Sequence, residues 1–117
     1  MTEPRRIKTI RTKIVGVTFD NPDGRSRQRI IRRCKAGEDL YLDWELDNQF
    51  DKDATAVRRR KNDQQLGYLS RDLAPQIVSY QQRGFQFSVE IINLTGGTRS
   101  ETTLGANIEI GVFEPQD

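Results

Sequence analysis

From Asp39 to Leu46 the chain alternates. Leu40, Leu42, Trp44 and Leu46 are apolar while Asp39, Asp43 and Glu45 are polar, the two-residue period of a strand with one face on a core. Tyr41 then falls on the outer face beside Asp43 and Glu45. The β-branched run Thr12–Phe19 also predicts a strand, ended by the turn residues Asn21-Pro22-Asp23-Gly24. Ser26–Lys35 has a different period: at about 100° per residue Arg25, Arg29, Arg32 and Arg33 share one arc and Ile30, Ile31 and Cys34 the other. That predicts a short basic amphipathic helix, stopped by Ala36-Gly37. Thr55–Arg59 and Gln65–Leu69 predict a hairpin around the polar turn Lys61-Asn62-Asp63.

Leu73, Ala74, Ile77 and Val78 recur at helical spacing between an expected N-cap at Ser70 and a stop at Gly84, with Asp72 in the first turn. Pro75 falls just past that turn and is expected to distort the start of the helix. Phe85–Leu94 and Thr102–Phe113 predict the last strands, joined across Gly96-Gly97. Trp44 and Cys34 lie on apolar faces and are expected in the core. Gly16 and Gly67 interrupt strands, which marks either a bulge or a place where a ligand comes close to the backbone.

Five or six short strands with two small helices predict a mainly β (α+β) fold, a small antiparallel barrel of OB or SH3 type. It would occupy residues 10–114 behind a basic arm at residues 1–9. A length of 117 residues suits a single domain. Only 34% of residues are hydrophobic and 31% are charged, so the core is lean and the surface wet. No apolar run approaches the ~20 residues of a membrane span, and Met1-Thr2-Glu3-Pro4-Arg5-Arg6 lacks the apolar segment of a signal peptide. The expectation is a cytoplasmic protein with no membrane partner.

Chemistry is narrowed mostly by what is missing. Cys34 is the only cysteine, which rules out an intrachain disulfide and a cysteine zinc cluster. With no histidine, the usual general base and the Ser-His-Asp and Cys-His arrangements go too. Neither Gly-x-Gly-x-x-Gly nor Gly-Lys-Ser/Thr occurs, so there is no phosphate loop. No cofactor and no catalytic residue is expected.

The net charge of +2 conceals three basic blocks: Arg5 to Lys13, Arg25 to Lys35, and Arg58 to Lys61. Glu38, Asp39, Asp43, Glu45, Asp47, Asp51 and Asp53 lie between the last two. Such segregation suits a polarised surface with a phosphate-binding face. It equally suits arginines paired with the acidic stretch.

The densest chemistry lies in Asn48-Gln49-Phe50-Asp51-Lys52-Asp53-Ala54 and Leu66-Gly67-Tyr68-Leu69-Ser70-Arg71-Asp72-Leu73-Ala74. An aromatic beside a carboxylate and an amide offers a nucleotide a stacking face, an acceptor for a hydroxyl and a base-edge reader. Alternatively Asn48 and Asp51 hold the loop through backbone hydrogen bonds while Phe50 plugs the barrel end. Together with Val15-Gly16-Val17-Thr18-Phe19, these segments resemble the HIRAN domain. HIRAN domains are small β-rich modules, found alone in bacteria and phages and fused to chromatin-remodelling and DNA-repair ATPases in eukaryotes. The resemblance runs from Lys13 to Val112.

In HIRAN domains of the helicase-like transcription factor type, the module binds the 3′ end of single-stranded DNA. Carried over, the resemblance implies that Asp51 accepts the terminal 3′-hydroxyl and Asn48 contacts the terminal base. Phe19 and Phe50 would sandwich that base, and Tyr68 and Arg71 would hold phosphates. It also implies single-stranded DNA as partner, with a separately encoded helicase or ATPase as a second. Departures are visible: Gln49 stands where Pro is usual, Phe19 and Phe50 where Tyr is frequent, and Thr18 where DNA-binding members tend to have Arg. No aromatic near Thr98–Leu104 matches one that closes the site in some members. Thr18, Arg29, Arg32, Arg33, Arg58 and Arg60 are the further candidates for phosphate contact.

A calcium loop is excluded, since counting from Asp47 or Asp51 puts Lys52 or Ala56 where Gly is required. Two alternatives to DNA-end binding remain: a module for an acidic protein partner, and a metal-dependent nuclease. The second lacks a Glu-x-Lys strand downstream of an Asp.

Overall fold

The computed structural model of the chain describes residues 3–116. Eight elements follow in order: β1 (Arg6–Lys13), α1 (Arg27–Arg32), β2 (Asp39–Trp44), β3 (Thr55–Arg59), β4 (Gln65–Tyr68), α2 (Ala74–Gln82), β5 (Gln86–Thr95) and β6 (Gly105–Phe113). The strands form one sheet in the order β1-β6-β5-β2-β3-β4, and every neighbour is antiparallel. The mainly β expectation holds, and α1, β2 and the β3–β4 hairpin fall where the periodicity puts them.

The first strand does not. Residues 6–9, expected in a free basic arm, pair with β6 as Lys8↔Val112 and Thr9↔Gly111. An edge strand needs only backbone partners on one side, so its polar side chains carry no periodic signal. The expected arm's residues 1 and 2 lie outside the described residues. Conversely, the strand expected to run through Phe19 breaks after Lys13. Val15 makes an isolated bridge to Tyr68, and Gly16 turns the chain at φ +70°.

That bridge closes the sheet. β1 and β4 are its two edges, and the chain leaving β1 crosses to β4, where Val15 N–H donates to Tyr68 O and Tyr68 N–H to Val15 O, both at 2.9 Å. The approach requires Gly67: a Cβ there would collide with the Val15 carbonyl and the Ile14 side chain. Gly67 thus admits the chain's own backbone rather than a ligand.

Inside, Ile14, Leu40, Val57, Leu66, Ile91, Ile108 and Ile110 form one cluster, covered by Ile30, Ile31 and Cys34 of the α1 segment and Ile77 of α2. Burial pushes the Cys34 thiol up to about 11. Two expected core residues are elsewhere. Leu46 is 75% exposed, because β2 ends at Trp44 and the alternation beyond it has no core to face. Trp44 is half-buried outside the cluster, its indole N–H donating to Lys52 O at 2.9 Å and so bracing the following loop.

α2 also starts late. Ser70 caps the preceding turn, with its Oγ accepting from Leu73 N–H at 3.2 Å and its carbonyl from Ala74 N–H at 2.9 Å. Pro75 then lies in the first turn of α2, where a missing N–H costs nothing, so the expected distortion is absent. No helix among the described residues is long and apolar enough to cross a membrane.

Candidate functional site

Closing the sheet through Val15 brings three loops to one end of the molecule: the turn after β1, the loop after β2 and the chain leaving β4. Between them lies a pocket of about 690 Å³, a size that suits a small ligand. Phe19, Asn48, Phe50, Asp51, Tyr68 and Arg71 all line it, with Val15, Ala54 and Leu69 as apolar floor. Phe19 is 67% exposed and Phe50 90%. Phe50 therefore plugs nothing, and both rings are open to a stacking partner.

Asn48 shapes the loop. Its Oδ1 accepts from the backbone N–H groups of Phe50 and Asp51, both at 2.9 Å, and its Nδ2 donates to Glu45 Oε1 at 3.0 Å. These bonds straddle Gln49 and stiffen the loop around it. One Nδ2 hydrogen stays free for a ligand. Asp51 Oδ1 accepts from Asp53 N–H at 2.9 Å, while Oδ2 has no hydrogen-bond partner among the described residues. So Asn48 is chiefly a holder of the loop, and Asp51 keeps an acceptor to offer.

Tyr68 O–H donates to Glu45 Oε1 at 2.9 Å. Burial pushes this phenol above its ordinary pKa, and the Glu45 bond adds to the effect, so at neutral pH the proton stays on the oxygen. Arg71 is exposed and makes no ion pair among the described residues.

Arg27 is the pocket residue missing from the sequence-based set. It is only 5% exposed, with Nε donating to Asn21 Oδ1 at 2.7 Å and Nη1 to Gly16 O at 2.8 Å, and its guanidinium lies 5.3 Å from the Tyr68 ring centre. A signal was present: at helical spacing Arg27 falls with Ile31 and Cys34 on the apolar arc, apart from the other arginines.

The remaining phosphate candidates divide sharply. Arg58 Nε donates to Asp43 Oδ2 at 2.9 Å and Nη1 to Asp63 O at 3.0 Å, while Arg60 lies over the Tyr41 ring at 5.5 Å. Arg59 is buried and grips Glu38 with two hydrogen bonds, one of 2.9 Å. Charge segregated along the sequence is thus paired in space, because acidic β2 runs antiparallel to basic β3 with Tyr41 opposite Arg58. In the first block Arg11 Nε lies 3.1 Å from Glu109 Oε1, and Arg5 pairs with Glu114. By contrast Arg29, Arg32 and Arg33 are exposed and form no ion pair among the described residues. Arg29 and Arg33 line a second cleft, of about 740 Å³, with Arg25 and Asp20. Thr18 is exposed in the turn beside Phe19.

Among the described residues no group of three or more Cys, Asp or Glu side chains is arranged to hold a metal ion. Of the acids there, Glu45 holds Tyr68 and Asn48, and Asp51 Oδ1 holds the backbone of Asp53.

A family model described as the HIRAN domain matches residues 7–110. The crystal structure of the HIRAN domain of human HLTF superposes with a TM-score of 0.67 at 16% identity, over 92% of this chain and 77% of that one. A crystal structure of a protein from Lactobacillus plantarum gives the same TM-score and identity over 96% of this chain and 98% of the other. Among curated proteins none matches the sequence significantly. Since the family match extends from β1 into β6, taking in both edges of the sheet and the whole pocket between them, the chain belongs to the HIRAN domain family.

Proposed function

We propose that this domain is a non-catalytic nucleic-acid-binding module that takes the free 3′ end of single-stranded DNA. One observation carries the reading: two open phenylalanine rings, an unpaired carboxylate oxygen and an unpaired arginine line the same pocket. The terminal base enters between Phe19 and Phe50, and stacking on such rings contributes ~1–3 kcal/mol per base. Asp51 Oδ2 accepts the 3′-hydroxyl proton, the free Asn48 N–H meets the base edge, and Arg71 grips phosphate through its planar fork. Tyr68, expected to hold phosphate, contributes its ring instead, because its O–H already donates to Glu45 Oε1.

Charge supplies the test. A 3′-phosphate would set a dianion against Asp51, so in an anisotropy titration at fixed salt a 3′-phosphorylated oligonucleotide binds about tenfold more weakly than its 3′-hydroxyl twin. A circular strand binds weakly as well. Asp51→Ala narrows the difference between the two linear strands, and Arg71→Ala weakens both and flattens the salt dependence. Equal affinity for linear, phosphorylated and circular strands overturns the end reading. An acidic protein partner docked on α1 predicts instead a complex that Phe50→Ala leaves intact.

A further inference from the structure

Two arginines of this domain are buried, and they are treated differently. Arg59 is neutralised by Glu38, whereas Arg27 forms no ion pair among the described residues. Burying a cation without a counter-charge is costly. Here neutral groups hold it: Asn21 Oδ1, the Gly16 carbonyl and the face of Tyr68. Asn21 is itself fixed, since its Nδ2 donates to Gln65 O at 3.0 Å. These contacts occupy Nε and Nη1.

Nη2 has no hydrogen-bond partner among the described residues. Yet no fully buried side-chain nitrogen or oxygen there is left without one. Nη2 therefore is not sealed from open space, and Arg27 forms part of the pocket wall. The result is a guanidinium held in one orientation and largely desolvated, with a donor unspent at the wall of the pocket.

We propose that, with Arg71 gripping a phosphate further along the strand, Arg27 is the ligand of the terminal phosphodiester in this pocket. Its Nη2 meets a non-bridging oxygen of the phosphodiester that joins the terminal nucleotide to the rest of the strand, and so supplies the cation that family resemblance expects at Thr18. The proposal rests on the DNA-end reading, because the phosphate Arg27 can reach is that of the nucleotide filling the pocket. Two features favour this guanidinium over the exposed ones on α1. It shares the pocket with Phe19, Phe50 and Asp51, and, already held by Asn21 and Gly16, it loses no side-chain freedom on binding.

Single neutral methylphosphonate linkages, walked along an oligonucleotide from its 3′ end, test this by anisotropy at fixed salt. In the wild type the terminal linkage loses about 10- to 100-fold in affinity and interior linkages only a few-fold, as expected of one charge-assisted hydrogen bond among screened charges. In Arg27→Gln the terminal penalty disappears, the charged and neutral strands binding with equal, reduced affinity, while Arg27→Lys recovers part of it. A purely structural role for Arg27 would weaken every strand alike and leave the positional pattern unchanged, which overturns the assignment. Should Arg27→Gln fail to fold, Arg71→Ala decides: a terminal penalty that persists supports Arg27, and one that vanishes gives the phosphate to Arg71. Equal binding of linear and circular strands removes the end reading and this proposal together. Retained end preference with uniform linkage penalties removes this proposal alone.

Discussion

Phe50 is the most exposed large apolar side chain among the described residues. At 90% exposure it adds almost nothing to the stability of the folded chain, and it shares its pocket with a second exposed ring, Phe19. Phe50→Ala is expected to leave the melting temperature unchanged and to weaken single-stranded DNA binding by about 5- to 150-fold, the loss of one stacking face. A melting curve and an anisotropy titration on the same sample check both halves. A destabilised variant with unchanged affinity would make Phe50 a structural residue after all. Beside it, Asn48 shows how one residue can serve both readings of the loop: its Oδ1 fixes the backbone that aims Phe50 and Asp51 outward, which no ligand has to induce.

At the scale of elements, the decisive feature is one antiparallel pair. Val15 and Tyr68 join the edges of the sheet and also line the pocket, so closing the barrel and building the site are a single event. Gly67 is what permits it. Gly67→Ala is expected to cost about 1–3 kcal/mol in urea denaturation, through the clash with the Val15 carbonyl and Ile14. It should also lower DNA affinity, because Val15 and Tyr68 shift together. Undiminished stability would mean that this end of the barrel yields easily. α1 has two roles on two faces: Ile30, Ile31 and buried Arg27 point inward, while Arg29, Arg32 and Arg33 face solvent.

For the whole molecule, a net charge of +2 says less than where the unpaired charges sit. Cross-strand pairing consumes the arginines of β3, and Glu109 and Glu114 take up much of the first block. The outer face of α1 instead carries three exposed arginines that form no ion pair among the described residues. Replacing Arg29, Arg32 and Arg33 together by Gln is expected to reduce the slope of log affinity against log salt by about 0.7 for each phosphate no longer neutralised, equally for 3′-hydroxyl and 3′-phosphate strands. Arg58→Gln should leave that slope unchanged, its guanidinium being spent on Asp43. A larger effect from this variant would show that the strand runs over the hairpin instead.

The alternation of β2, the amphipathic period of α1 and the turn residues between strands were legible in the chain, because each is set by neighbours a few residues apart. So were the six pocket residues, through short segments that resemble a family's. Other features belonged to the tertiary structure. Edge pairing gave β1 its polar strand, since backbone hydrogen bonds leave no mark on side-chain periodicity. The end of β2 took Leu46 and Trp44 out of the core. Which arginines stay free depended on β2 lying antiparallel to β3, a pairing that turns separation along the sequence into contact across it. Arg27 shows the boundary between the two: its spacing put it on the apolar face of α1, but only the packed fold revealed that it is held by neutral groups and forms no ion pair among the described residues.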